Sequence, residues 1–180
     1  MANWPQVARR IRVPLGFAFA LLYVWLAKPT LASLFIGVAV AIPGVFLRAL
    51  ASGHVRKNEA LTTTGPYAHT RNPLYLGSLI LALGFVIAAR NWWIAGVMII
   101  FFLLVYVPVI RSEETFLRAK FPEFEKYANE VPRLLPRLSS GGNETGSFSW
   151  DLYWKHREYN AALGALAITM VLVIKIIWWR

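Results

Sequence analysis

Apolar residues in this chain come in five long blocks separated by short polar breaks. They run from about Val13 to Ala27, Leu31 to Leu47, Leu74 to Ala89, Trp92 to Ile110 and Ala161 to Trp179. Several are near the short end of the roughly 17–25 residues that a helix needs to cross a bilayer. Aromatic residues at Tyr23, Trp25, Trp92, Trp93, Trp178 and Trp179 extend them into the interface. The pattern predicts an all-α integral membrane protein with about five transmembrane helices. The breaks at Lys28-Pro29 and Arg90-Asn91 are tight and predict two antiparallel helical hairpins. Pro43-Gly44 predicts a kink in the second span.

Between Arg111 and Tyr127, the residues Phe116, Leu117, Phe121, Phe124 and Tyr127 recur at helical spacing. Glu113 and Glu114 come early and Arg118 and Lys120 late, the order a helix dipole favours. This predicts an extension of the fourth helix along the membrane, broken at Pro122. Residues from Ser139 to Ser149 read as a serine- and glycine-rich linker. Within it Asn143-Glu144-Thr145 fits a glycosylation acceptor, but its expected cytoplasmic side argues against use. Trp150, Tyr153, Trp154, Lys155, His156, Arg157 and Tyr159 mix aromatics with bases, as an interfacial segment does. The chain thus divides into a membrane core at 1–138, a linker and interfacial segment at 139–158, and an additional C-terminal transmembrane helix at 159–180.

Charge sets the expected orientation. Fifteen lysines and arginines fall before the first block, between the second and third, and between the fourth and fifth. Only Lys28, Arg90, Lys175 and Arg180 fall on the other side. The positive-inside rule then places the N-terminus in the cytoplasm. Lys175 is expected to snorkel to the outer interface.

Composition narrows the chemistry. The 180 residues are 57% hydrophobic with a formal net charge of +10. Such a charge suits anionic lipid or nucleic acid, and the apolar blocks decide for the bilayer. With no cysteine, disulfides and thiolate chemistry are excluded. His54, His69 and His156 lack metal-ligand spacing, so no metal site is expected. No G-x-G-x-x-G after a strand, P-loop or nucleophile elbow is present. No cleavable signal is expected. Any cofactor must therefore sit in a pocket made by the membrane helices.

The stretch Gly65-Pro66-Tyr67-Ala68-His69-Thr70-Arg71-Asn72-Pro73-Leu74-Tyr75-Leu76-Gly77 opens the third block with polar groups that a plain anchor does not need. Polar groups held against a bilayer are costly and mark sites. Pro73 suits a first helical turn and Asn72 a cap. The helix N-terminus there suits a carboxylate or phosphate. Upstream, a loop from Ser52 to Thr64 carries His54, Arg56, Lys57, Asn58 and Glu59. His54 is read either as a base or as a polar anchor, and His69 as structural. Of the two acids after the fourth block, one faces a pocket, because adjacent helical residues point about 100° apart. That carboxylate would accept ribose hydroxyls or pair with Arg71, and Glu114 is expected to be the solvated one. Gly77 and Gly84, seven apart, are expected to permit close helix packing.

These motifs, G-P-Y-x-x-x-R-N-P-x-Y-x-G, a helical hairpin, E-E-x-x-L, then F-x-x-x-x-x-Y and a proline-rich stretch, resemble the isoprenylcysteine carboxyl methyltransferase and phospholipid methyltransferase superfamily. The resemblance is strongest over 48–137 and extends to its bacterial isoprenylcysteine-methyltransferase-like members. It implies a helical enzyme with a cytoplasmic pocket for S-adenosylmethionine and a lipid or lipid-linked acceptor, a carboxylate or an amine. By that pattern Leu61, Thr62, Tyr67, Asn72, Pro73, Leu74, Tyr75 and Glu113 line the cofactor pocket, with His54 near it; His54 and, on the residues alone, Arg71 are the candidate catalytic groups. Asn72 stands where many members have histidine. Val109 stands where the protein-methylating branch has a substrate-contacting arginine, which speaks against prenylcysteine. The same superfamily holds NADPH-dependent reductases, for which Arg56 and Lys57 would suit a 2′-phosphate. A non-enzymatic scaffold binding anionic lipid is the third reading. Homo-oligomerisation through the C-terminal helix is left open by the sequence.

Overall fold

Residues 4–56, 59–138 and 146–178 are described by a computed structural model. Every described regular element is helical. In chain order they are α1 (Trp4–Leu26), α2 (Leu31–His54), a 3-10 turn (Gly65–Ala68) and α3 (Pro73–Ala89). There follow α4 (Trp92–Phe101), a π-helical turn (Phe102–Tyr106), α5 (Val107–Lys120), α6 (Phe124–Glu130), α7 (Trp150–Lys155) and α8 (Tyr159–Trp178). Three helices are long and apolar enough to cross a membrane: Leu31–His54, the continuous Trp92–Lys120 and Tyr159–Trp178. Pro14–Leu26 and Pro73–Ala89 are shorter apolar helices. The protein is an all-α membrane protein. Lys57 and Asn58, the Asn143-Glu144-Thr145 acceptor pattern and the final Trp179-Arg180 lie outside the described residues.

The chain forms two compact units. The first holds the residues up to Ala41, Ala82–Glu113 and those from Gly164 onward. Both tight breaks fall here. The Lys28 N–H donates to the Ala89 carbonyl at 2.8 Å. Arg90 turns the chain with φ 51°, and Asn91 caps α4 by accepting from Trp93 N at 2.9 Å. The Asn91 amide also donates to Leu26 O at 2.9 Å, so a single residue starts α4 and ties it to the end of α1. Within this unit α2 meets α3 at Gly37 and Gly84. A Cβ on Gly37 would lie 2.5 Å from the Gly84 carbonyl oxygen. Backbones in such contact gain dispersion and short polar contacts where lipid offers no hydrophobic drive.

The π turn has a local cause. Pro108 lacks an N–H and its ring excludes the carbonyl four residues back. Val107 N bonds instead to Phe102 O, five residues back. The Leu104 carbonyl accepts from Trp4 Nε1 at 3.0 Å.

Ile42–Leu81 and Glu114–Leu163 make up the second unit. Here α2 and α3 meet again at Gly44 and Gly77, where a Cβ on Gly44 would lie 2.7 Å from the Gly77 carbonyl oxygen. The spacing of seven that predicted close packing of Gly77 and Gly84 is met on α2 by Gly37 and Gly44. Phe124, Tyr127 and Val131 form a small apolar core with Leu61, Leu117 and Phe121 against it. The break at Pro122 is present between α5 and α6.

Two expectations are corrected here. α2 does not end near Leu47 but continues to His54, because Ala51, Ser52 and Gly53 are all buried and Gly53 is pressed under the Phe148 ring. The end of the expected linker is likewise docked: Ser149 N donates to Gly53 O at 2.9 Å, and Ser149 then caps α7.

Candidate functional site

The 3-10 turn begins at Gly65, whose φ of 57° is the left-handed region that glycine enters without cost. A Cβ there would also meet the His54 ring at 2.6 Å. The turn ends with Thr70 N and His69 N both donating to Pro66 O at 3.2 Å. Tyr67 and Asn72 are buried, and Pro73 is fully so. Asn72 starts α3 with its main-chain carbonyl, which accepts from Leu76 N at 3.0 Å.

The Asn72 side chain does something else. Its amide donates to Glu114 Oε1 at 3.1 Å and to the Arg133 carbonyl at 2.9 Å. Glu114 is only 3% exposed. Its Oε2 accepts from Arg133 Nε and Nη2, both at 2.9 Å, and its Oε1 lies 3.7 Å from Arg71 Nε. The carboxylate is therefore buried between two guanidinium groups and an amide, where burial of a charge is tolerated because it is paired. The expectation that Glu114 is solvated is overturned. Arg71 pairs with Glu114; Glu113 is half-buried on the same helix within the first unit.

The segment after α6 closes this knot from one side. Arg71 N donates to Pro132 O at 2.9 Å, and Thr70 Oγ1 donates to Leu134 O at 3.0 Å. Arg137 N donates to His69 O at 3.1 Å, and His69 Nδ1 donates to Arg137 O at 3.0 Å. His69 is thus structural, as its place in a tight loop implied. Tyr127 donates its phenol to Tyr67 O at 2.7 Å. Burial pushes the Tyr127 phenol pKa well up; Arg71 opposes that and Glu114 adds to it.

Two buried donors, Arg71 Nε and Arg137 Nε, have no hydrogen-bond partner among the described residues. Buried unsatisfied polar groups are rare and call for an explanation.

The remaining expected residues fall nearby or elsewhere. Leu61 turns its side chain into the Phe124–Tyr127–Val131 core. Thr62 Oγ1 accepts from Arg56 N at 3.2 Å. The Leu74 carbonyl accepts from Ser78 Oγ at 2.9 Å and from Arg48 Nη1 at 3.3 Å. Tyr75 is half-buried in the first turn of α3. His54 donates Nδ1 to Leu50 O at 2.8 Å, while Nε2 faces Gly146 O at 3.3 Å. Its ring packs edge-on to Phe148, so it is enclosed as a polar anchor between α2 and the C-terminal segment.

The sequence profile of the phospholipid methyltransferase family matches residues 12–123. The chain belongs to this family. Curated relatives carry other names. The cobalt-zinc-cadmium resistance protein CzcN of Cupriavidus metallidurans is 36% identical over 139 residues, 77% of this chain and 62% of that protein. The nickel-cobalt-cadmium resistance protein NccN of Alcaligenes xylosoxydans xylosoxydans is 36% identical over 135 residues, 71% of this chain and 62% of that protein. The chain therefore spans about 62% of the length of these relatives. No solved structure matches it.

The phospholipid methyltransferase match contains Arg71, Asn72 and Glu114 but ends before Tyr127, Arg133 and Arg137. Sequence reading missed Glu114, Arg133 and Tyr127 as parts of one site. Arg71 and Arg133 are cations that a buried carboxylate can pair with, but no local pattern selects Glu114 over Glu113 as that carboxylate. Among the described residues, no group of three or more His, Asp or Glu gathers as metal ligands would.

Proposed function

We propose that this phospholipid methyltransferase family member is an S-adenosylmethionine-dependent enzyme of the bacterial inner membrane. Its acceptor is a lipid or lipid-linked carboxylate or amine, and its N-terminus and site face the cytoplasm. The observation that carries the reading is the buried Arg71–Asn72–Glu114–Arg133 knot at the start of α3, inside and just beyond the family match. The unsatisfied Arg71 Nε fits the cofactor, because a buried guanidinium donor suits its carboxylate.

Arg71 and the first turn of α3 would hold that carboxylate, with Tyr67, Asn72, Pro73, Leu74 and Tyr75 beside it. Leu61 and Thr62 would contribute main-chain atoms and Glu113 a carboxylate for hydroxyl groups. S-adenosylmethionine, when bound, supplies a methyl group already activated on a sulfonium. The protein's part is alignment and exclusion of water. A carboxylate acceptor needs no general base, whereas an ammonium must first lose a proton. His54, with its ring enclosed by two main-chain carbonyls, takes a positioning part. The resistance named in the relatives would then be served by modification of a membrane component.

The test is calorimetric titration of protein in nanodiscs with S-adenosylhomocysteine and, separately, NADPH. Binding of the former, lost in Glu113→Ala, Tyr67→Ala and Arg71→Gln variants that still unfold cooperatively, supports the proposal. NADPH binding alone would replace it with a reductase. Binding of neither would leave the anionic-lipid scaffold.

A further inference from the structure

The first unit contains a cleft of about 590 Å³ where the turn between α1 and α2 meets the last turns of α8. Trp25, Leu31 and Ile176 supply apolar walls, and Lys28 and Lys175 bring two ammonium groups. No carboxylate is among the residues that line it. Lys175, expected to reach toward the outer interface, turns its ammonium to the end of α1. Its Nζ donates to the carbonyls of Val24 at 2.6 Å and Trp25 at 3.1 Å, where a cation offsets the negative end of α1. That contact holds the two walls together.

Lys28 is placed differently. Its main chain is fixed by the bond to Ala89 O and by Pro29 behind it, while its side chain is exposed. A lysine whose main chain is fixed thus stands on the rim of an apolar cleft. Beside it, Trp25 and Leu31 are 75% and 64% exposed, and Phe35, one turn further along α2, is 79% exposed. The apolar surface therefore continues out of the cleft along a membrane-spanning helix.

Positive charge at the head and uninterrupted apolar surface leading away describe the complement of one kind of molecule. We propose that this cleft binds an anionic phospholipid, with the phosphate-bearing headgroup at Lys28 and the acyl chains along Trp25, Leu31 and α2. The volume falls in the range of sites that enclose a small molecule or part of a larger one. The apolar walls assign the occupant to a lipid and not to a free anion. This site is independent of the methyl-transfer reading.

The test uses the full chain in phosphatidylcholine nanodiscs doped with a photoactivatable phosphatidylglycerol or, separately, a photoactivatable phosphatidylcholine. Peptide mapping is expected to place phosphatidylglycerol crosslinks in residues 24–36 and around 175, in excess over phosphatidylcholine. Lys28→Gln is expected to lower that yield about fivefold, the effect of about one basic residue near an anionic surface. Lys28→Arg should restore it. Both replace an exposed side chain, and an unchanged thermal midpoint verifies the fold. Equal labelling by the two lipids, or a yield indifferent to Lys28→Gln, overturns the proposal. So does loss of labelling with excess inorganic phosphate, which would make this a soluble-anion site.

Discussion

Asn72 and Glu114, forty-two residues apart, share a buried hydrogen bond of 3.1 Å from the amide to the carboxylate. Through it the start of α3, the middle of α5 and the segment after α6 become one polar unit. A buried carboxylate of this kind is tolerated because it is paired, and removing one side of the pairing leaves charge buried without compensation.

Glu114→Ala is therefore expected to be strongly destabilising, because it strands Arg71, Arg133 and the Asn72 amide together. The loss should be about 3 kcal/mol, the low end for a broken buried pair, since the Arg133 side chain is half exposed. Glu114→Gln keeps the shape and one acceptor and should cost less. Thermal unfolding in detergent measures both, and an unchanged midpoint for Glu114→Ala would refute the assigned role.

Tyr127→Phe removes the donor to Tyr67 O and should cost about 1 kcal/mol near neutral pH. The pH dependence has a definite sign. Burial raises the folded phenol pKa above the ordinary tyrosine value of about 10. Stability is then full below pH ~10 and falls above it, where the unfolded chain releases a proton that the folded one retains. Unfolding curves between pH 8 and 11 should show this fall in the parent and a shallower one in Tyr127→Phe.

Gly37→Ala should cost about 1–3 kcal/mol, because the new methyl meets the Gly84 carbonyl and can be relieved only by moving helices. Gly96→Ala and Gly164→Ala, with nothing within 4 Å of the added carbon, should be neutral or slightly stabilising by helix propensity. A common response from all three would mean that close packing of α2 on α3 is not what the glycines provide.

At Asn91 two roles can be separated. Asn91→Asp keeps the cap on Trp93 N and loses the donor to Leu26 O; Asn91→Ala loses both. The alanine variant should lose about 1–2 kcal/mol and the aspartate variant an intermediate amount. Equal losses would show that the cap contributes nothing.

The helices were legible because lipid forces every span to satisfy its backbone internally, and apolar length then fixes position. Leu74–Ala89 against the observed Pro73–Ala89 differs by one residue. α2 ran past its apolar block because a partner 90 or more residues later, around Phe148 and Ser149, covers its polar end. Nothing local to Ser52 and His54 announces that. The inward face at Glu114 was hidden by the π turn. A turn holding one extra residue rotates everything after it by about 100°. Pro108 was its visible cause, though the sequence reading gave it no role. Asn72 was legible as a helix start, while its side chain's true partners depended on tertiary contacts.

Arg48 and Glu158 form an ion pair at 2.6 Å across 110 residues of chain. At 5–20 residues per second, roughly 6–22 s of synthesis separate the two. Arg48 thus leaves the ribosome on an apolar helix long before its counter-ion exists. In that interval its guanidinium must rely on what arrives sooner, the Leu74 carbonyl and the Ser78 hydroxyl of α3. The second helix is consequently expected to settle in the membrane only as α3 joins it. Glu158, the residue just before the last helix, then completes a charge balance left open since the first third of translation.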